Sequence, residues 1–127
     1  MKNLLFILFA FPFLFVSCSN DDNYFPEDRE YRLLLFNSIE ECRSYQETSF
    51  VNCYQTVSFN KDGSAVYMVT DIMLRATYKV DGNKITLRMH EDDVYETDRV
   101  VHFTIIDDDH IIRQGEEKAW ERVIYLY

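Results

Sequence analysis

The 127-residue chain predicts an all-β domain, an antiparallel up-and-down meander of seven or eight short strands that closes into a small barrel. Two observations carry that expectation. From Val51 onward apolar and polar residues alternate with a period of two rather than 3.6. Turn chemistry recurs between the runs, as Asn60-Lys61-Asp62-Gly63-Ser64, Asp81-Gly82-Asn83 and Asp107-Asp108-Asp109. Closure is favoured because it removes the unpaired edges that an open sheet would expose. A two-sheet sandwich is the competing arrangement, disfavoured by the consecutive hairpins.

The elements follow in order. Residues 31–36 are apolar and long enough for one strand. Ser38-Ile39-Glu40-Glu41 has the spacing of a capping box, Ser38 accepting from the amide three residues on and Glu41 reaching back. It predicts a short helix over 39–45, or else a continued or bulged strand. Val51, Cys53, Val57 and Phe59 then share one face, opposite Asn52, Thr56 and Ser58. Ala65, Tyr67 and Val69 alternate up to a break near Asp71, and Ala76, Tyr78 and Val80 oppose Arg75, Thr77 and Lys79. Ile85, Leu87 and Met89 oppose Lys84, Thr86 and Arg88. Beyond a polar loop over 90–98, Val101, Phe103 and Ile105 face away from His102 and Thr104, and residues 111–113 and 120–127 finish the sheet.

The N-terminus has another character. Lys2 is the single charge among the first seventeen residues, and a nearly unbroken apolar run extends from Leu4 to Val16 before the small residue Ser17. This is the layout of a secretory signal, and the run is too short for a bilayer core that needs about twenty residues. Val16-Ser17-Cys18 resembles a bacterial lipobox, which implies cleavage before Cys18 and lipid on its thiol. The division expected is a signal peptide over 1–17, a lipidated Cys18 with a polar tether to residue 30, and one domain over 31–127. Acyl chains would hold the protein on the membrane, each buried methylene contributing about 0.8 kcal/mol. Ser19-Asn20-Asp21-Asp22 resembles an acidic signal that carries lipoproteins of some Gram-negative bacteria to the outer face of the outer membrane. The cell surface is the expected location, with a periplasm-facing anchor as the alternative.

Removal of residues 1–17 takes one Lys and no acid, leaving 12 basic and 22 acidic side chains and a net charge of −10. Such a field repels polyanions, so nucleic acid is excluded as the expected partner. Cys42 and Cys53 remain in a compartment that permits disulfides. A bridge is the first reading, worth roughly 3 kcal/mol for a loop of that size. Two buried thiols are the second, and a metal site lacks the paired ligands it would need.

Val57 to Ser64, Thr77 to Leu87 and Phe103 to Asp108 together resemble the small lipocalin-like lipoproteins of Gram-negative bacteria, over roughly Val51 to Tyr127. The resemblance implies a lipocalin-like barrel. Such domains usually open on a Gly and Trp pair that plugs the barrel base. This chain has neither near Tyr31, and its one Trp is Trp120.

No nucleophile elbow, phosphate loop or zinc-protease helix is written in the sequence, and His90, His102 and His110 are scattered, so no enzyme activity, cofactor or metal is expected. The acids Glu91, Asp92, Asp93, Glu96 and Asp98, and separately Asp107, Asp108 and Asp109, read as solvated turns rather than a calcium loop. The functional expectation is a lipid-anchored, non-enzymatic envelope protein whose barrel binds a small, hydrophobic ligand. Tyr67, Tyr78, Met89 and Phe103 are the expected cup residues, because each lies on the apolar face of its strand. The rival is an accessory surface lipoprotein that binds a protein or glycan through its outer face. Bulky side chains filling the interior would favour the rival, and an open void the ligand.

Overall fold

The computed structural model describes residues 23–90 and 99–126. One sheet closes on itself in the order of the chain. The elements are β1 (Arg29–Leu34), α1 (Ile39–Gln46), β2 (Tyr54–Phe59), β3 (Ser64–Val69), β4 (Ile72–Asp81), β5 (Lys84–Met89), β6 (Val100–Asp107), β7 (His110–Arg113) and β8 (Trp120–Arg122). Every neighbouring pair is antiparallel, and β8 returns to β1 through Tyr31↔Arg122 and Arg32↔Glu121. The result is an eight-stranded up-and-down barrel with one short helix, compatible with a lipocalin-like fold, and the sandwich is not formed.

The period-two pattern becomes the inner wall. Val57 and Phe59, Ala65 and Tyr67, Ala76 and Tyr78, Ile85, Leu87 and Met89, and Val101 and Phe103 are all buried in one core cluster, as the alternation requires. Ser38 caps α1, its Oγ accepting from the Glu41 amide at 3.1 Å. The reciprocal arm differs from a standard box: Glu41 Oε2 accepts from the Asn37 amide at 2.8 Å, one residue before the cap. Of the helix residues Cys42 is the buried one, and its sulfur is bonded to Cys53 at the entry to β2.

Several boundaries differ from the sequence reading; β2, for one, starts at Tyr54 rather than 51. β1 starts at Arg29 rather than 31, because Arg29 and Glu30 pair with Phe59 and Ser58 before Tyr31 does with Val57. Leu35 keeps one ladder bond, to the Cys53 carbonyl, after β1 ends. β8 ends at Arg122, and the chain leaves the sheet after one further bond from the Val123 amide to the Glu30 carbonyl. The segment read as a tether is packed where it is described: Phe25 is 6% exposed and belongs to the core.

Gly63 closes the β2–β3 turn at φ +88°, with Tyr24 Cε1 and Cζ 2.7 Å from where a Cβ would stand. A side chain there is strained by the backbone and meets a ring that is itself stacked edge-on against Tyr78. Gly63→Ala is expected to lower stability by about 1–3 kcal/mol in a urea melt. An unchanged midpoint would show that Tyr24 moves aside freely.

Candidate functional site

The barrel has two ends. At the base lie Asn23, where the described chain enters, and the β2–β3, β4–β5 and β6–β7 turns. At the mouth lie α1, the β3–β4 turn at Thr70 and Asp71, and the loop joining β7 to β8.

The base is sealed by Phe25. Its ring lies 5.5 Å from Phe59, 5.8 Å from Tyr78 and 6.5 Å from Tyr31. Its amide donates to Tyr78 Oη at 3.1 Å, and that hydroxyl donates to the Asn60 carbonyl at 2.8 Å. Burial raises the Tyr78 pKa above its ordinary value, which keeps the phenol protonated and able to donate. Phe25 thus closes the base of the barrel. The sequence signal for it is the aromatic pair Tyr24-Phe25 before Pro26 in an otherwise polar stretch.

The middle is filled with rings. Phe59 lies 4.9 Å from Tyr78 and 6.2 Å from Phe103, and Phe103 meets Trp120 edge-on at 5.4 Å. Trp120 is fully buried, and its indole N–H donates to Glu116 Oε2 at 2.9 Å. Rings at these separations in edge-on contact are close-packed, as in a protein interior.

The four expected cup residues all point inward and are buried, but at different heights. Tyr78 belongs to the base plug and Phe103 to the middle. Tyr67 bridges the middle and the mouth, 6.4 Å from Phe103 and 6.1 Å from Trp120, and Met89 ends β5 on the mouth side. Two polar atoms on this side lack hydrogen-bond partners among the described residues: Tyr67 Oη and Gln55 Oε1. Desolvation raises the Tyr67 pKa, partly offset by the Arg113 charge, whose guanidinium carbon sits 5.9 Å from the ring centroid.

Around the mouth the apolar faces run past the rim. Leu35, Phe50, Ile72 and Met73 are exposed, and an apolar depression of about 290 Å³ opens between Leu35, Phe36, Phe50 and Val51 on one side and Thr70 and Asp71 on the other. Thr70 has φ +54°, and Asn52 Nδ2 holds that turn by donating to the Thr70 carbonyl and to Asp71.

The acidic turns are engaged locally. Asp107 accepts from the Asp109 amide at 2.9 Å and lies 2.8 Å from His110 Nδ1. Among the described residues no group of three or more metal-ligating side chains converges. Glu91, Asp92, Asp93, Glu96 and Asp98 lie outside the described residues, as does Cys18. The hydrogen bond from His110, and then that from the Asp109 amide, holds Asp107 below 3.8, while the same Asp107 contact raises His110 above 6.5. The stability that Asp107 contributes is present above pH ~4 and lost as pH falls through its folded pKa. That from His110 is complete below 6.5 and lost as pH rises through its raised value. An NMR titration of His110 should give a midpoint above 6.5 that falls in the Asp107→Asn variant; a midpoint insensitive to that change would mean the pair does not persist in solution.

No protein-family model, no curated protein and no solved structure matches this chain. The barrel therefore rests on its own register and packing, and the functional reading on its own geometry.

Proposed function

We propose that this chain is a lipid-anchored, non-enzymatic accessory protein of the cell envelope that acts through its outer surface on a protein or glycan. The carrying observation is the filled interior: Tyr31, Phe59, Tyr78, Phe103 and Trp120 are all fully buried within it, and Phe25 seals one end. An eight-stranded barrel has room for side chains or for one small ligand, and here side chains occupy the base and the middle. The lipocalin-like lipoprotein resemblance of the sequence agrees with an anchored barrel, and Cys18 is the residue that would carry the acyl chains at the outer membrane, on the cell-surface side.

A second reading keeps a small hydrophobic ligand, lodged at the mouth rather than through the whole barrel. It is favoured by the unpartnered Tyr67 hydroxyl and Gln55 carbonyl, which would serve the polar end of a ligand whose apolar body crosses Met89 and Leu74. Tyr78 and Phe103 belong to the core in this version.

Native mass spectrometry of the domain over 23–127, compared with its denatured mass, separates the two. The surface reading expects no mass lost on denaturation. A reproducible extra mass that disappears in Tyr67→Phe would establish the mouth ligand instead. Metabolic labelling with a fatty acid, lost in Cys18→Ser, tests the anchor.

A further inference from the structure

Exposed apolar residues lie at the same end of the barrel as the point where the described chain begins. Ile106 lies near the end of β6, at the register irregularity between Ile105 and Asp107, and Ile124 (65% exposed), Tyr125 and Leu126 (95%) follow β8 past the start of β1. Asn23 is pinned there, its carbonyl accepting from the Val80 amide at 2.6 Å. Cys18 precedes Asn23 by five residues, and a fully extended chain spans no more than ~3.3–3.6 Å per residue. A lipidated Cys18 therefore holds the base within about 18 Å of its own bilayer. The mouth lies at the far end of the strands.

The base also carries a depression of about 610 Å³ whose charges are mixed. Two guanidiniums, Arg29 and Arg122, share Glu27 Oε1, at 3.6 Å and 2.8 Å. Arg29 Nε is buried and has no hydrogen-bond partner among the described residues, although its guanidinium lies over the Phe25 ring. Glu30 stands opposite, accepting from Tyr125 Oη at 3.1 Å, with Ser58 beside it. Two cations beside three carboxylates, Glu27, Asp28 and Glu30, present both signs to a headgroup that bears both a phosphate and an ammonium. They do not suit a purely anionic lipid, which Asp62, Asp81, Asp107, Asp108 and Asp109 on the neighbouring turns would also repel.

We infer that the base is a membrane-seating face. Ile106, Ile124, Tyr125 and Leu126 enter the interface of the bilayer that holds the anchor, and the depression between Arg29, Arg122, Glu27 and Glu30 takes a zwitterionic phospholipid headgroup. The short tether keeps the face at high effective concentration over the lipid, so weak individual contacts suffice. Apolar and tyrosine side chains at such a boundary place rings and methyls in lipid and the phenol in the polar layer. Seating on the base leaves the mouth facing away from the membrane. The inference rests on the anchoring proposed for Cys18.

The test uses the full lipidated protein in phosphatidylethanolamine and phosphatidylcholine vesicles, with a nitroxide attached at Ile106→Cys, Ile124→Cys or, at the mouth, Phe50→Cys. Labels at 106 and 124 are expected to be shielded from a water-soluble nickel chelate and open to oxygen, with the reverse at 50. Ile124→Asp combined with Leu126→Asp, both at exposed positions, should return the label at 106 to water while the protein still floats with the vesicles. Adding phosphatidylglycerol should do the same. Protein that floats with all three labels equally open to the chelate overturns the seating and leaves the anchor intact. Protein that does not float overturns both. Shielding accompanied by dipolar broadening that grows with protein density assigns the face to a second copy and overturns the lipid assignment, and shielding undiminished on phosphatidylglycerol overturns the headgroup assignment.

Discussion

Phe59→Ala is expected to destabilise the domain by about 3–5 kcal/mol, the range for deleting a buried ring from a core that cannot collapse around the gap. Phe59 is fully buried where the plug meets the middle of the barrel, touching the rings of Phe25, Tyr31, Tyr78 and Phe103. Its strand is held on both sides, by Arg29 in β1 and Ala65 in β3, so the wall cannot close in. The same substitution tests the filled-barrel reading. A dry apolar cavity of that kind takes up xenon or benzene, so the variant should show uptake that the parent lacks, followed by methyl shifts on Ile85 and Leu87. Equal uptake by the parent would mean that the native interior already contains a usable void, and would move the weight of the function to the ligand.

Loss of the disulfide should cost almost as much. The bridge between Cys42 and Cys53 closes a loop spanning eleven positions, and in the chain-entropy account a loop of this length is worth about 3 kcal/mol. For a domain of this size that corresponds to a fall of roughly 10–20 °C in Tm. The local structure adds a consequence. Since Cys42 is the buried residue of α1, the capped helix has little else to hold it on the barrel. Cys42→Ala combined with Cys53→Ala should therefore raise hydrogen exchange over Ile39–Gln46 well before the strands are affected. A melting temperature unchanged by the double substitution would mean that the loop is held by contacts other than the bridge.

The site was less legible than the fold, and the particular residues show why. The inward positions of β2 to β6 could be read directly, because side-chain direction in a strand follows from parity alone. That reading placed Tyr67, Tyr78, Met89 and Phe103 on the inner wall, and they are there. Parity says nothing about height along the barrel or about what stands opposite. Tyr78 turned out to bond a backbone plug, Phe103 to pack against Trp120, and Tyr67 alone of the four to leave a polar atom unpartnered among the described residues. Phe25 and Arg122 are not singled out by the sequence, since each draws its significance from a partner far away in the chain: Phe25 from Tyr78, and Arg122 from Glu27.

By itself the sequence determined the all-β class, the capping pattern at Ser38, the turns at Gly63 and Gly82, and the inner faces of β2 to β6. All of these are local: they depend on a two-residue period and on the backbone preferences of Gly, Asn and Asp at single positions. Only the tertiary structure decided that β8 meets β1, that Phe25 closes the base, and that the interior is occupied by rings. Closure depends on the register summed around eight strands, and the free volume inside depends on every inward side chain at once. Neither quantity is carried by any one segment of the chain.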